Sequence, residues 1–274
     1  MSPTRSGERR TPARGRRVLT TAGMLSLLAV SATACSGQAS RIGFPAPITD
    51  QGKRMLTLWQ GSWIAALSVG AVVWGLIIWA VLFHRKRSDD LPPQVRYNLP
   101  IEMLYTAVPF IVIAVLFYFT ARDETYVEKT TKVPDVVVKV IGFQWSWQFD
   151  YKQGLDKNAP TVASVVGTPS SPDANPGTKP VMVLPVDKTV RFILHTNDVI
   201  HSFWVPAFLY KKDVMPGPTD NQFEIRPTKT GTYEGRCAEL CGVDHSRMLF
   251  QVKIVSDAEY QQFLIDHKVP GGSQ

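Results

Sequence analysis

Two long apolar runs divide the chain. From Met55 to Phe83 no residue is charged, and Met103 to Ala121 repeats the pattern over a shorter length. A helix crossing the hydrocarbon core of a bilayer takes roughly 20 apolar residues, so each run predicts a membrane-spanning helix. Pro109 inside the second run is compatible with this, because neighbouring groups in a membrane protein re-satisfy the backbone that proline frees. The first run ends at His84, Arg85, Lys86 and Arg87, and the second at Arg122, Asp123 and Glu124, giving a hairpin over 55–122. Its connecting loop, 84–100, holds four basic residues. The positive-inside rule puts that loop in the cytoplasm and both outer flanks outside. Trp59, Trp63, Trp79, Tyr105 and Tyr118 sit near the ends of the runs, as interfacial anchors or as packing between the helices.

Beyond the hairpin the period changes. Short β-branched and aromatic runs follow at Val136 to Val140, Gln144 to Tyr151, Met182 to Leu184, Thr189 to His195, Gln222 to Ile225 and Leu249 to Val255. Strands this short, broken by Pro and Gly, predict an all-β sandwich or barrel over 123–256. Residues 152–179, rich in Pro, Ser, Gly and Asn and without periodicity, read as a long exposed loop. Ser256 and Glu259 form a capping-box pattern that starts a short helix, so 257–274 is a final helix and tail.

Charge changes the picture mainly by where it lies. The formal net charge is +7, which on its own would suggest a nucleic-acid partner. Residues 1–34 carry six Arg and one Glu, giving +5; 35–121 carry seven basic and four acidic residues, giving +3; 122–274 carry 17 basic and 18 acidic residues, giving −1. The basic excess therefore belongs to the N-terminal and membrane-flanking segments, and no nucleic-acid partner is indicated. The basic opening of 1–34, followed by an apolar stretch ending in small residues, reads as an export signal, with 35–54 an extracytoplasmic segment. Cleavage after Ala34 would leave Cys35 at the N-terminus, as in a bacterial lipoprotein; ordinary cleavage nearby and an uncleaved signal are the competing readings.

The chemistry concentrates in twelve residues, CAELCGVDHSRM, numbered 237–248, which place Cys237, Glu239, Cys241, His245 and Met248 together. A helix would string Cys237, Cys241, His245 and Met248 along about 16 Å at roughly 1.5 Å per residue, too far for one small centre. Gly242 and the β context instead predict a loop folded back on itself. Thiolate, thioether and imidazole donors select copper or zinc over magnesium or calcium. A Cys237–Cys241 disulfide, a two-Cys two-His zinc site and a mononuclear blue-copper site are the alternatives, the last leaving one Cys unexplained. Of His84, His195, His201 and His267 outside that loop, His201 is the preferred further donor, because it opens the segment HSFWVP just after the Asn197-Asp198 turn.

DVIHSFWVPAF, with CAELCGVDHSRM 36 residues after His201, resembles the copper-binding signature of subunit II of the haem-copper cytochrome c oxidases. The likeness extends to the helical hairpin, the β domain and the segment GFQWSWQFDY. The resemblance implies an all-β cupredoxin-like Greek-key sandwich behind a two-helix transmembrane hairpin, carrying a dinuclear copper centre, CuA. It implies that Cys237 and Cys241 bridge two copper ions, with His201, Met248, His245 and the Glu239 main-chain carbonyl completing the ligands. The Glu239 side chain would face the catalytic subunit and help bind a magnesium ion there, or be a simple loop carboxylate. Trp145 would take electrons from cytochrome c, with the other aromatics of that strand structural; Ser146 stands where the family more often has an aromatic residue. Glu102 would mark the mouth of a proton pathway, or simply favour a helix N-terminus.

The function implied is that of subunit II of a respiratory cytochrome c oxidase in a bacterial cell membrane. It would take electrons from a soluble, membrane-bound or fused cytochrome c and pass them to haem in subunit I, where oxygen reduction is coupled to proton pumping. The partners implied are subunit I, other oxidase subunits and membrane lipid. A membrane-anchored copper chaperone or sensor is the alternative. A quinol oxidase subunit would lack the copper residues, and a soluble nitrous oxide reductase would lack the two helices.

Overall fold

A computed structural model describes residues 37, 39–87, 89–91, 94–156, 159–171 and 177–270. The expected export signal, 1–34, and Cys35 lie outside the described residues. Residues Ala39–Arg41 form a single 3₁₀ turn; everything described below belongs to the compact unit from Pro45 onward.

Helix α1 spans Asp50–Phe83 and α2 spans Leu99–Glu128, both long and apolar enough to cross a membrane. Each begins earlier than its apolar run. Thr49 caps α1 by accepting the Gly52 N–H at 2.9 Å, with Asp50 in the first turn. Asn98 caps α2, Pro100 stands in its first turn, and Glu102 accepts the Asn98 N–H at 3.0 Å. The helices thus include five residues assigned by sequence to the 35–54 segment and six assigned to the β domain, 123–128. The reason is that polar residues continue a helix once it is nucleated and capped, so an apolar run marks the membrane portion rather than the helix. Asp123, 1% exposed, accepts Arg54 and Arg122 guanidinium groups at 2.9 Å and ties the two helices together.

Among the described residues ten strands follow: β1 Val136–Phe143, β2 Ser146–Lys152, β3 Thr161–Val166, β4 Val181–Pro185, β5 Val190–Thr196, β6 His201–Val205, β7 Tyr210–Val214, β8 Asn221–Ile225, β9 Gly231–Cys237 and β10 Leu249–Val255. A closing helix, α3, covers Asp257–Asp266 behind the Ser256–Glu259 capping box. The strands form two five-stranded sheets, ordered β3-β2-β1-β5-β8 and β4-β10-β9-β6-β7. The pairs β1–β5 and β4–β10 are parallel and the rest antiparallel. This is the β-sandwich behind a helical hairpin that the residue pattern predicts, in the cupredoxin-like Greek-key arrangement that the resemblance implies.

The expected loop 152–179 is not structureless. It contains β3, whose Ala163 pairs with Tyr151 of β2. β3 is a half-exposed strand at a sheet edge, so its alternation is faint against the flanking Pro, Ser and Gly. The residue pattern predicts none of strands β6, β7 and β9, and His201 opens a strand rather than lying on a loop. The polar residues of β7 and β9 suit strands exposed on one face.

The core between the sheets is aromatic: Trp147, Phe149, Tyr151, Phe192, Phe203, Phe223 and Phe250 are each at most 1% exposed. Phe203 of β6 stacks on Phe250 of β10 at 4.9 Å and 17°, joining the two strands that flank β9. A Cβ at Gly235 of β9 would stand 2.1 Å from the Phe250 ring, so glycine is what lets β9 lie flat over it. The Tyr151 hydroxyl donates to the Val183 carbonyl at 3.0 Å and accepts the Val183 N–H at 2.8 Å, which satisfies a polar atom deep in the core.

Candidate metal centre

β6 begins and β9 ends at the same end of the second sheet, as neighbouring inner strands, with Phe203 opposite Cys237. The chain leaves β9 at Cys237, loops through 238–244, makes a 3₁₀ turn at His245–Arg247 and re-enters the sheet at Leu249. The neck of this loop is closed by main-chain bonds: Cys237 N–H donates to the Met248 carbonyl and Ala238 N–H to the Ser202 carbonyl, both at 3.0 Å. Gly242 makes the reversal possible. Its φ of +125° is costly for any residue with a Cβ, and a Cβ there would stand 2.9 Å from the Trp145 indole nitrogen.

Within this frame the donors gather around two sulfurs. Cys237 Sγ lies 3.9 Å from Cys241 Sγ, 4.0 Å from His201 Nδ1 and 3.2 Å from the Glu239 carbonyl oxygen. Cys241 Sγ lies 3.5 Å from His245 Nδ1 and 3.7 Å from Met248 Sδ. His201 and Met248 are fully buried, and Cys241 and Cys237 are 3% and 4% exposed. The Glu239 side chain points to solvent while its carbonyl faces the sulfurs. A disulfide would hold the sulfurs about 2.05 Å apart, so the disulfide reading does not describe this site, where both cysteines are free.

Electrostatics make the pair of sulfurs unequal. Burial opposes ionisation of Cys237, but the His201 ring and nearby main-chain groups outweigh it and hold this thiol below its ordinary value. Burial and the negative charge on Cys237 push Cys241 up to about 12. Burial works against a charged His201, but Cys237 and Asp198 more than compensate and raise it. Two thiolates this close are thus mutually unfavourable without a cation between them, and a metal removes that conflict.

A second layer orients the first. The Asp198 carboxylate receives the His201 Nε2 side of the ring at 2.8 Å, which leaves Nδ1 facing Cys237. The other Asp198 oxygen accepts the Gln144 N–H at 2.8 Å. Gln144 Nε2 and the Trp145 indole N–H both donate to the Cys241 carbonyl, at 2.8 and 3.1 Å. Trp147 Nε1 donates to the Met248 carbonyl at 3.3 Å. Gly142 admits the His201 ring, since a Cβ there would be 3.0 Å from it. The sequence marks Asp198 only as part of the turn before His201, and nothing in it marks Gln144 or Gly142 as supports of the site. The expectation for the strand aromatics divides as follows: Trp147, Phe149 and Tyr151 are core, while Trp145 is half-buried over Gly242. Glu102 is not brought to this site; it lies in the first turn of α2, whose other end is Glu128.

The donor set fits copper. Five side chains and one carbonyl, disposed about two sulfurs, exceed what a single tetrahedral zinc accepts. Their softness suits copper. His201, Cys237 and Cys241 present ligand atoms all within 4.8 Å of one another.

Comparison with known proteins agrees in extent. The family model described as cytochrome C oxidase subunit II, periplasmic domain, matches residues 136–255. The probable cytochrome c oxidase subunit 2 of Streptomyces avermitilis is 49% identical over 97% of this chain and 91% of its own length. The cytochrome c oxidase subunit 2 of Mycobacterium tuberculosis is 39% identical over 92% of this chain and 82% of its own. Among solved structures, the periplasmic domain of subunit II of cytochrome oxidase from Bradyrhizobium japonicum is 30% identical, covering 50% of this chain and 96% of that one, with a TM-score of 0.42. On the extent and level of the sequence identity, this chain belongs to the cytochrome c oxidase subunit II family.

Proposed function

We propose that this chain is the electron-accepting subunit of a bacterial respiratory oxidase, taking electrons from a cytochrome c and relaying them to haem in subunit I, where oxygen is reduced and protons are pumped. The observation that carries the reading is the pair of buried sulfurs 3.9 Å apart, flanked by two imidazoles and a thioether. Cys237 and Cys241 would bridge two copper ions, with His201, His245, Met248 and the Glu239 carbonyl as the remaining ligands. Bound there, a dinuclear copper pair supplies one-electron chemistry shared over two metals in a fixed cage.

The chain's own part is positioning and insulation. Burial of His201, Met248, Cys237 and Cys241 excludes water, and the sandwich holds the loop rigid at both ends. That enclosure favours a permanent centre over the reversible binding a copper chaperone or sensor needs. Trp145, half-exposed and bonded to the Cys241 carbonyl, is the point at which electrons arrive from cytochrome c. The Glu239 side chain is exposed; facing the partner subunit, it would help hold a magnesium ion there. Glu102 marks the mouth of a proton pathway at the cytoplasmic end of α2. The helices anchor the chain in the cell membrane with the loop 84–100 inside and the β domain outside.

The decisive experiment is metal analysis and electron resonance of the purified full-length chain loaded with copper. Two coppers per chain with a mixed-valence signal are expected. One copper with a blue-copper spectrum, or zinc alone, overturns the reading.

A further inference from the structure

The membrane helices and the candidate metal centre meet on one short stretch of chain. β6 begins at His201 and runs straight into a 3₁₀ turn, Pro206–Phe208, on which the N-terminal end of α1 is seated. Ile48 N–H donates to the Ala207 carbonyl at 3.2 Å, and the Ile48 carbonyl accepts the Thr228 N–H at 2.7 Å. Asp50 N–H donates to the Arg226 carbonyl at 3.2 Å. Ile48 and Thr49 are buried, and the Thr49 hydroxyl that caps α1 also reaches the Phe208 carbonyl at 3.5 Å. A Cβ on Gly52 would stand 2.7 Å from that same carbonyl oxygen, a backbone atom that cannot rotate aside. Helix and turn therefore touch backbone to backbone at a position that glycine alone permits.

The far end of α2 grips the adjoining strand. Glu128 accepts from the Tyr210 hydroxyl and from Lys212 Nζ, the latter at 2.5 Å. Both donors are on β7, which pairs with β6 along its length, Val205 opposite Tyr210 and His201 opposite Val214. The linker after α2 is fixed too, since Thr131 donates its N–H and hydroxyl to the buried Glu224 at 2.9 and 3.0 Å. One attachment would leave the β domain free to rock; two, on neighbouring segments and from two helices tied to each other through Asp123, do not.

We infer that Gly52 and Glu128 are positioning residues of the relay, which set the height and tilt of His201, and so of the centre it serves, relative to the bilayer and to any partner embedded in it. This rests on the proposed oxidase function. Electron transfer weakens steeply with separation, so a loose joint at this place would disperse the rate without altering the ligands.

The test uses the assembled oxidase carrying Gly52→Val, and separately Glu128→Ala, which removes the second grip without a backbone clash. Two quantities are measured: the orientation dependence of the copper resonance in oriented membrane multilayers, and the rate of haem reduction in the partner after rapid reduction of the copper centre. Both variants should keep wild-type copper content and an unchanged isotropic spectrum, yet show a wider angular spread and haem reduction slowed by roughly tenfold. An unchanged spread and rate overturn the inference, and Glu128→Ala decides alone if Gly52→Val does not assemble. A wild-type oxidase without the copper resonance in this chain overturns the functional reading instead, and the inference with it.

Discussion

The indole N–H of Trp145 donates to the main-chain carbonyl of Cys241 at 3.1 Å, so an aromatic ring at the protein surface is one hydrogen bond from a buried cysteine, a proposed ligand. The ring is held against Gly242 on one side, and the Gln144 side chain shares the same carbonyl at 2.8 Å. Replacing Trp145 by Phe removes the bond and leaves Gln144 to satisfy the carbonyl. Oxidation of cytochrome c should then slow by about tenfold, equivalent to about 1.4 kcal/mol in the barrier, with the copper spectrum intact. Steady-state turnover with the assembled oxidase measures this. Unchanged turnover would mean that Trp145 only packs.

Asp198 reaches the centre by a different route. Its carboxylate takes the Nε2 side of His201 and the Gln144 N–H, both at 2.8 Å, so it fixes both a proposed ligand and the turn bearing Trp145. Asp198→Asn keeps the size but replaces one acceptor oxygen by a donor, which cannot serve both partners. Copper should be lost to a competing chelator at 10- to 100-fold lower concentration, roughly the usual cost of removing such a partner. Equal retention by the variant and the wild type would show that the packing of His201 against Gly142 is sufficient.

How much of this could be read along the chain depended on how local each signal is. The two long apolar helices are legible because continuous apolar runs are one-dimensional, yet their ends are not, because Thr49 and Asn98 cap turns lying outside those runs. Strands β1, β2, β4, β5, β8 and β10 are legible; β3, β7 and β9 are not, because most of each strand's residues are not buried, and β6, though mostly buried, is not, because His201 and Ser202 interrupt its short apolar run. The soft donors of 237–248 were visible as a cluster, but the closeness of His201 to them depends on β6 pairing with β9, and no spacing in sequence encodes that. Gly142, Gly52 and Gly235 were silent for the same reason: what each makes room for comes from a distant segment.

Gly235 gives a direct test of the packing. Valine there would need the space of the Phe250 ring, since even a Cβ would come within 2.1 Å of it. Phe250 is fully buried and stacks on Phe203, so it has little room to yield. Overpacking of this kind costs about 1–3 kcal/mol, and more where backbone must move. Thermal denaturation of Gly235→Val should show a lowered midpoint, and copper loading should fall with it because β9 ends at Cys237. A variant as stable as the wild type would mean that the two sheets separate more easily here than the aromatic stacking indicates.

The buried Tyr151 predicts how stability responds to alkali. Burial raises its pKa well above the ordinary value, and although the bond to the Val183 carbonyl acts the other way, burial prevails. The folded state therefore keeps this proton at pH values where the unfolded chain, with a tyrosine pKa near 10, loses it. Above about pH 10 the folded state binds more protons than the unfolded one, so stability should fall as pH rises through that window and be complete below it. Tyr260, also raised by burial, adds to the same slope. Tyr151→Phe should flatten the alkaline limb while lowering stability at neutral pH by about 1–3 kcal/mol, because the Val183 N–H loses its acceptor. Denaturant titrations of the full-length chain in detergent from pH 8 to pH 11 measure both effects. If the variant kept the full alkaline slope, the slope would belong to other groups, and the proton on Tyr151 would have no part in holding the core together.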